Sequence, residues 1–143
     1  MKLDPNVWGP HYWFFIHTIA ISYPLRPNAV TKKKYYDFIQ NLPLFLPNEQ
    51  MATHFEKLLD QYPVTPYLDT RESFIRWTHH IHNKINELLE KKKISLSEFY
   101  EQYYDHYKPK EVKFKEYYKI RAKVIYLVIV VLFVAAIVYF YNK

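Results

Sequence analysis

No cysteine occurs among the 143 residues. That absence excludes disulfides, thiolate metal ligands and thiol catalysis by this chain, whatever compartment it occupies. Glycine is nearly as scarce, with Gly9 the sole example. Sheets joined by tight turns draw on glycine for positive φ angles, so the chain is predicted to be helical. No P-loop, no G-x-G-x-x-G fingerprint and no nucleophile triad is present, and no segment repeats. Acidic residues are outnumbered, 14 against 20 Lys and Arg, but the imbalance is local. Residues 1–107 carry 12 of each sign, whereas residues 108–123 carry 7 basic and 2 acidic, and Lys143 holds the last positive charge. A nucleic-acid-binding domain would spread a basic face over the fold itself, so nucleic acid is not an expected partner.

The length suits one domain of about 100 residues with its own core, followed by an appendage. That appendage is Val124–Tyr141, VIYLVIVVLFVAAIVYFY, 18 residues without a charge. As a helix it would reach about 27 Å, close to the roughly 30 Å of bilayer hydrocarbon. Tyr126 at one end and Tyr139 and Tyr141 at the other fit interfacial aromatic belts. A buried core helix is the competing reading, but no amphipathic segments are left to cover it. The run is expected to be a single C-terminal transmembrane helix, since Met1–Trp8 lacks the apolar stretch of a signal peptide. Lys113, Lys115, Lys119, Arg121 and Lys123 flank its inner end. The positive-inside rule places that flank, and the domain before it, on the cytoplasmic side, where the cluster meets anionic headgroups.

Four apolar-periodic stretches precede the anchor. Pro10 is expected in the first turn of a helix running to about Ser22, with Trp13, Ile16, Ala20 and Tyr23 on one face. A second helix is predicted behind Thr31 as N-cap, with Tyr35, Phe38, Ile39 and Leu42 inward. A third begins after Asn48 and runs to about Gln61, with Met51, Phe55, Leu58 and Leu59 as its stripe. The fourth starts from a capping box, Asp69-x-x-Glu72, and carries Phe74, Trp77, Ile81, Ile85 and Leu88 through about Lys92. Ser95-x-x-Glu98 caps a short fifth helix ending near Tyr107. The pattern predicts an all-α antiparallel bundle over residues 1–107, a basic juxtamembrane segment over 108–123 and the span over 124–141.

Beside the apolar stripe of the fourth helix runs a polar one: His79, His82, Asn83, Asn86 and Glu90. A solvated helix face accounts for it most simply. Two mid-helix Asn are nevertheless poor helix formers, and hydrogen bonds to a ligand would offset their cost. A metal held by His54, His79 and His82 is a further alternative, which lacks a carboxylate or Cys at diagnostic spacing.

Three segments resemble a known family. WGPHYWFFIHTIAISYP (8–24) resembles the opening G-R-x-x-W-x-x-x-H-x-x-A-x-x-Y-P segment of the Erv/ALR FAD-dependent sulfhydryl oxidases. LPNEQMATHFEK (46–57) is similar to that family's P-C-x-x-C-A-x-x-F-E-K helix start, and WTHHIHNKINELLEKK (77–92) to its W-x-C-x-x-H-N-x-V-N-x-x-L-x-K helix. The opening WGPxYW and the closing KKKISLSEFYEQYY (91–104) look most like the short versions encoded by large DNA viruses. The resemblance implies a four-helix bundle with a short fifth helix, holding FAD at one end, usually as a homodimer. It would place Gly9, Trp13 and His17 against the flavin nucleotide, with His54 from the third helix, His82, Asn83, Asn86 and Lys91 from the fourth, and Tyr103 from the fifth. Trp13 and Trp77 carry the alternative of simple core aromatics.

The departures bear on activity. Asn48 and Met51 stand at the two positions of the family's C-x-x-C, His79 replaces the cysteine of the fourth-helix motif, and Pro10 replaces an Arg. In the family that thiol pair takes electrons from a partner dithiol and passes them to flavin; Asn and Met can do neither. The expectation is an FAD-binding pseudoenzyme with no catalytic residue and no metal. It would be anchored in a virion or host-derived membrane, acting as a homodimer or as a partner of an active thiol oxidase. The alternatives are a flavin-linked thiol oxidase component working through partner cysteines, and a structural bundle with an empty pocket.

Overall fold

The computed structural model describes residues 3–142, which form helices and no strand among the described residues. Two compact units are present, one ending at Tyr103 and one beginning at Tyr104. The first helix, α1, is Pro5–Ile21, longer by more than a turn than the expected start at Pro10. Asp4 makes the difference: its carboxylate accepts from the Asn6 N–H at 2.8 Å, with Pro5 in the first turn. Pro10 then lies inside the helix, and Asn6, whose carbonyl loses its usual partner, is exposed.

The second helix, α2, is Ala29–Asn41 and is capped by Asn28, whose side chain accepts from the Thr31 N–H at 2.8 Å. Thr31 is therefore the capped donor and not the cap expected from sequence, because Asn in extended backbone is the stronger N-cap. A 3₁₀ turn, Leu42–Phe45, leads to α3, Glu49–Gln61, where Asn48 caps as expected by accepting from the Met51 N–H at 3.1 Å. A second 3₁₀ turn, Thr65–Tyr67, precedes α4, Arg71–Leu88.

The capping box of α4 sits one residue later than Asp69 and Glu72. Thr70 and Ser73 exchange it, because Asp69 pairs with Lys32 and Glu72 with Arg76. The helix also stops at Leu88, short of Lys92. The N–H of Lys91 bonds back to the Asn86 carbonyl at 2.8 Å and that of Glu90 to Glu87 at 3.1 Å, a Schellman ending with Glu90 at φ 55°. Leu88, expected inward, is 44% exposed, and Glu90 has left the helical stripe.

Helix α5, Leu96–Asp105, opens on the expected box: Ser95 N–H donates to Glu98 at 2.7 Å, and Glu98 N–H to Ser95 Oγ at 3.1 Å. It ends two residues before the expected Tyr107. Helix α6 runs unbroken from Lys110 to Tyr141, so most of the basic segment is helical too. It is the one described helix long and apolar enough to cross a membrane.

The core of the first unit lies where α1 packs along α4. Ile16, Ala20 and Tyr23 meet Phe74, Trp77, Ile81 and Ile85, with Ile39, Leu42, Phe55, Leu59 and Phe99 closing the sides. Burial of each large side chain contributes about 1.5–3 kcal/mol. The polar ends of the aromatics are satisfied: Tyr23 O–H donates to the Leu68 carbonyl at 2.8 Å and Trp77 Nε1–H to Tyr62 at 2.9 Å. Trp77 is thus a core aromatic.

Candidate functional site

The polar stripe of α4 does not face solvent. His82 meets α1, where its Nδ1 lies 2.9 Å from His17 Nε2. Trp13, one turn before His17, stacks on the His82 ring at 4.2 Å between centroids and 13° between planes, and on His17 at 5.5 Å. Phe99 of α5 approaches His17 edge-on at 4.5 Å. Phe55, one turn after Met51, lies 6.4 Å from Trp13, which brings the α3 start to the same neighbourhood.

Burial is the largest influence on both histidines. It pushes His17 down to about 3, helped by His82 and His79, and His82 down to about 4, helped by His79 and Lys91. Both rings are therefore neutral at pH 7, and one donates to the other. His17 is 4% exposed, and its Nδ1 has no hydrogen-bond partner among the described residues. Whichever tautomer holds, a buried polar nitrogen is unsatisfied, at a cost of about 1–3 kcal/mol. Asn86, also buried, makes no side-chain hydrogen bond among the described residues. An unsatisfied ring nitrogen within a stack of flat rings, with the Asn86 amide one turn along α4 from His82, is what a planar, polar-edged ligand would satisfy.

Asn83 is committed elsewhere. Its Oδ1 accepts from the Ile94 N–H at 3.0 Å, and its Nδ2 donates to the Ile94 carbonyl at 2.9 Å. His79 Nε2 also lies 2.9 Å from that carbonyl. A carbonyl only accepts, so His79 Nε2 carries its hydrogen, and the 3.2 Å approach of Asn83 Nδ2 to it is donor against donor, not a bond. Asn83 and His79 together bracket the segment between α4 and α5 onto α4.

The other residues expected at the site are dispersed. Tyr103 is buried, donates to Thr18 Oγ1 at 3.1 Å and stacks on Phe14 at 5.4 Å, which seats α5 on α1. Lys91 is exposed in the turn after α4. Gly9 is half-buried in α1, and a Cβ there would meet nothing within 4 Å, so no close approach requires glycine. His54 is exposed on α3 with no ring or hydrogen-bond contact to His79 or His82, and no group of three potential metal ligands gathers among the described residues. Phe99 and the Ile94 backbone were not singled out from sequence. The i, i+4 pair His79 and Asn83 was the available signal for the bracket, but a backbone partner carries no sequence mark.

At the C-x-x-C positions, Asn48 caps α3 and Met51, 8% exposed, joins the core. The first role needs a short side-chain acceptor and the second a flexible apolar filler; neither needs a thiol.

Residues 10–105 match the Erv1 / Alr family. A probable FAD-linked sulfhydryl oxidase of Acanthamoeba polyphaga mimivirus is 33% identical over 97 residues, spanning 67% of this chain and 68% of that protein. An FAD-linked sulfhydryl oxidase of African swine fever virus is 36% identical over 92 residues, 64% of this chain and 76% of that protein. Among solved structures, the FAD binding domain of Erv1 from Saccharomyces cerevisiae superposes with a TM-score of 0.65 at 28% identity, covering 72% of this chain and 96% of that one. The yeast Erv1 core gives 0.64 at 29%, over 73% and 90%. The motif order, the helical architecture and these similarities agree, and the chain belongs to the Erv1 / Alr family.

Proposed function

We propose that this protein is a membrane-anchored FAD-binding member of the family that has kept the flavin scaffold and lost the thiol reaction, and that it acts by binding. The carrying observation is Asn48 and Met51 at the C-x-x-C positions, each absorbed into a structural role in a chain without cysteine. Thiol exchange requires a thiolate that attacks a disulfide, and these 143 residues supply none.

The residues fit the cofactor. Trp13 and His82 offer flat faces, His17 Nδ1 is a buried nitrogen in want of a partner, Asn86 places an amide one turn along from His82, and Lys91 adds an exposed cation close enough to bias His82. In this reading Trp13, His17, His82 and Asn86 hold the ligand, with Gly9, His54 and Lys91 at its periphery. Asn83 and Tyr103 act by seating α5 and the turn before it. Bound FAD would supply a two-electron acceptor; the chain supplies the pocket, the neutral imidazoles and the exclusion of water. Residues 124–141 anchor the domain on the cytoplasmic side of a virion or host-derived membrane. There it pairs with a second copy or with a cysteine-bearing oxidase of the same family.

The test is spectroscopic and kinetic. Purified full chain should absorb near 450 nm as flavoproteins do and consume no oxygen with dithiothreitol above the rate of free flavin. Colourless protein that takes up no added FAD removes the flavin half of the proposal; sustained thiol oxidation removes the pseudoenzyme half. Oxidation that appears only with a cysteine-bearing partner would identify a component of a thiol oxidase working in trans.

A further inference from the structure

Helix α6 has 32 residues and reaches about 48 Å, against about 30 Å of bilayer hydrocarbon. The uncharged run from Val124 accounts for the hydrocarbon, so residues 110–123 stand outside it as a continuation of the same rod. Acids stand only in the far half of this outer part, at Glu111 and Glu116, with Asp105 just before it. Asp105 pairs with Lys113 at 2.8 Å and with Lys108 at 3.4 Å, and Glu116 pairs with Lys108 at 3.3 Å. No acid lies between Glu116 and the uncharged run. Lys119, Arg121 and Lys123 are exposed and have no ion-pair partner among the described residues.

We propose that Lys119, Arg121 and Lys123 form a collar that recognises anionic phospholipid headgroups in the leaflet nearest the folded unit, an inference that rests on the membrane-anchor reading of residues 124–141. Lys123 adjoins the span, and Lys119 is one turn further out, about 6 Å along the axis. All three cations thus lie within about 8 Å, one Debye length at physiological salt. Lys110 is about 20 Å from the span and Lys115 about 13 Å, both beyond that range. Lys119 and Lys123 share one side of the helix at i, i+4, while Arg121 points to the other. A headgroup layer surrounding the rod meets both sides at once, whereas a partner docked on one side meets only one set. Arg121 adds a planar fork that can grip a phosphate with two parallel hydrogen bonds.

The experiment uses the full chain reconstituted in phosphatidylcholine vesicles holding a minority of phosphatidylserine, with spin-labelled lipids reporting which species is held at the protein surface. Carbonate extraction of the same vesicles comes first. The expected result is resistance to carbonate and a several-fold preference for phosphatidylserine, up to about fivefold for each cation in the headgroup layer, falling as salt rises. The triple variant Lys119→Gln, Arg121→Gln, Lys123→Gln should bring the preference near parity, and Lys110→Gln with Lys115→Gln should leave most of it. A triple variant that resists carbonate yet selects phosphatidylserine as well as wild type overturns the collar and leaves the anchor standing. Wild-type chain released by carbonate overturns the anchor, and the collar with it.

Discussion

Glu90 adopts φ 55° at the position after the C-cap of α4, where glycine is the usual occupant. The left-handed conformation is forced by the two bonds of the Schellman ending, and a Cβ there costs about 1 kcal/mol. Glu90→Gly should therefore raise unfolding stability by about that amount, read as a shift in the urea midpoint with an unchanged slope. His17 and His82 make the opposite kind of contribution. Their folded pKa values, about 3 and about 4, lie below the ordinary 6.5. Stability is then fully present above pH 6.5 and falls as the pH drops from there toward 4, because the unfolded chain takes up protons that the buried rings refuse. Each ring contributes about 1.4 kcal/mol per pH unit over that window. Between pH 6.5 and 5, before most carboxylates titrate, His82→Gln should reduce the slope of unfolding free energy against pH. A slope unaltered by the substitution would show that His82 is not held neutral by burial.

At the scale of elements, the turn between α4 and α5 separates two asparagines that look equivalent on a helical wheel. Asn83→Ala strips the Ile94 N–H and carbonyl of side-chain partners, so it should cost about 1–3 kcal/mol of stability and loosen α5. Asn86→Ala removes a side chain with no such partner and should leave the thermal midpoint nearly unchanged while weakening flavin retention by up to about tenfold. Equal loss of stability in both variants would contradict this division of labour. The α3 start tests the proposal about function. Asn48→Cys with Met51→Cys replaces a cap and a core filler by the family's pair, so it should destabilise by about 1–3 kcal/mol and, if the pocket holds flavin, gain dithiol-dependent oxygen consumption that wild type lacks.

For the whole molecule, the two units carry different solvents. The first, ending at Tyr103, gathers a buried apolar core, whereas the uncharged run of α6 is exposed throughout. Exposed valine, leucine and phenylalanine on that scale are stable in lipid and not in water. Deletion of residues 124–143 should release a helical, detergent-free domain, while the full chain should partition into detergent; a full chain that sediments as a soluble monomer would refute the anchor. A tag at residue 1 should be digested by protease added to sealed, cytoplasm-out vesicles, and its protection would reverse the orientation.

Scarce glycine, the spacing of apolar residues, and the uncharged run were enough to establish helices, their order and a membrane candidate, since these depend on backbone geometry and on hydrophobic period alone. The three motifs were enough for the family, and the missing cysteines for the absence of thiol chemistry, because covalent reactivity is a property of the side chain itself. Cap positions were legible to within a few residues. Asn28 displaced Thr31 because several residues compete for the same N–H groups, and Thr70 displaced Asp69 because Lys32, 37 positions away in sequence, engaged the carboxylate. Only tertiary structure decided where the members of the polar stripe are engaged. His82 stacks on Trp13 and bonds to His17 across 65 positions, His17 Nδ1 is buried without a partner, and Asn83 is spent on a backbone that no sequence pattern records. Helical spacing places side chains on a face, but what that face meets is set by the helices packed against it, and so is whether a polar group there is satisfied, protonated or left for a cofactor.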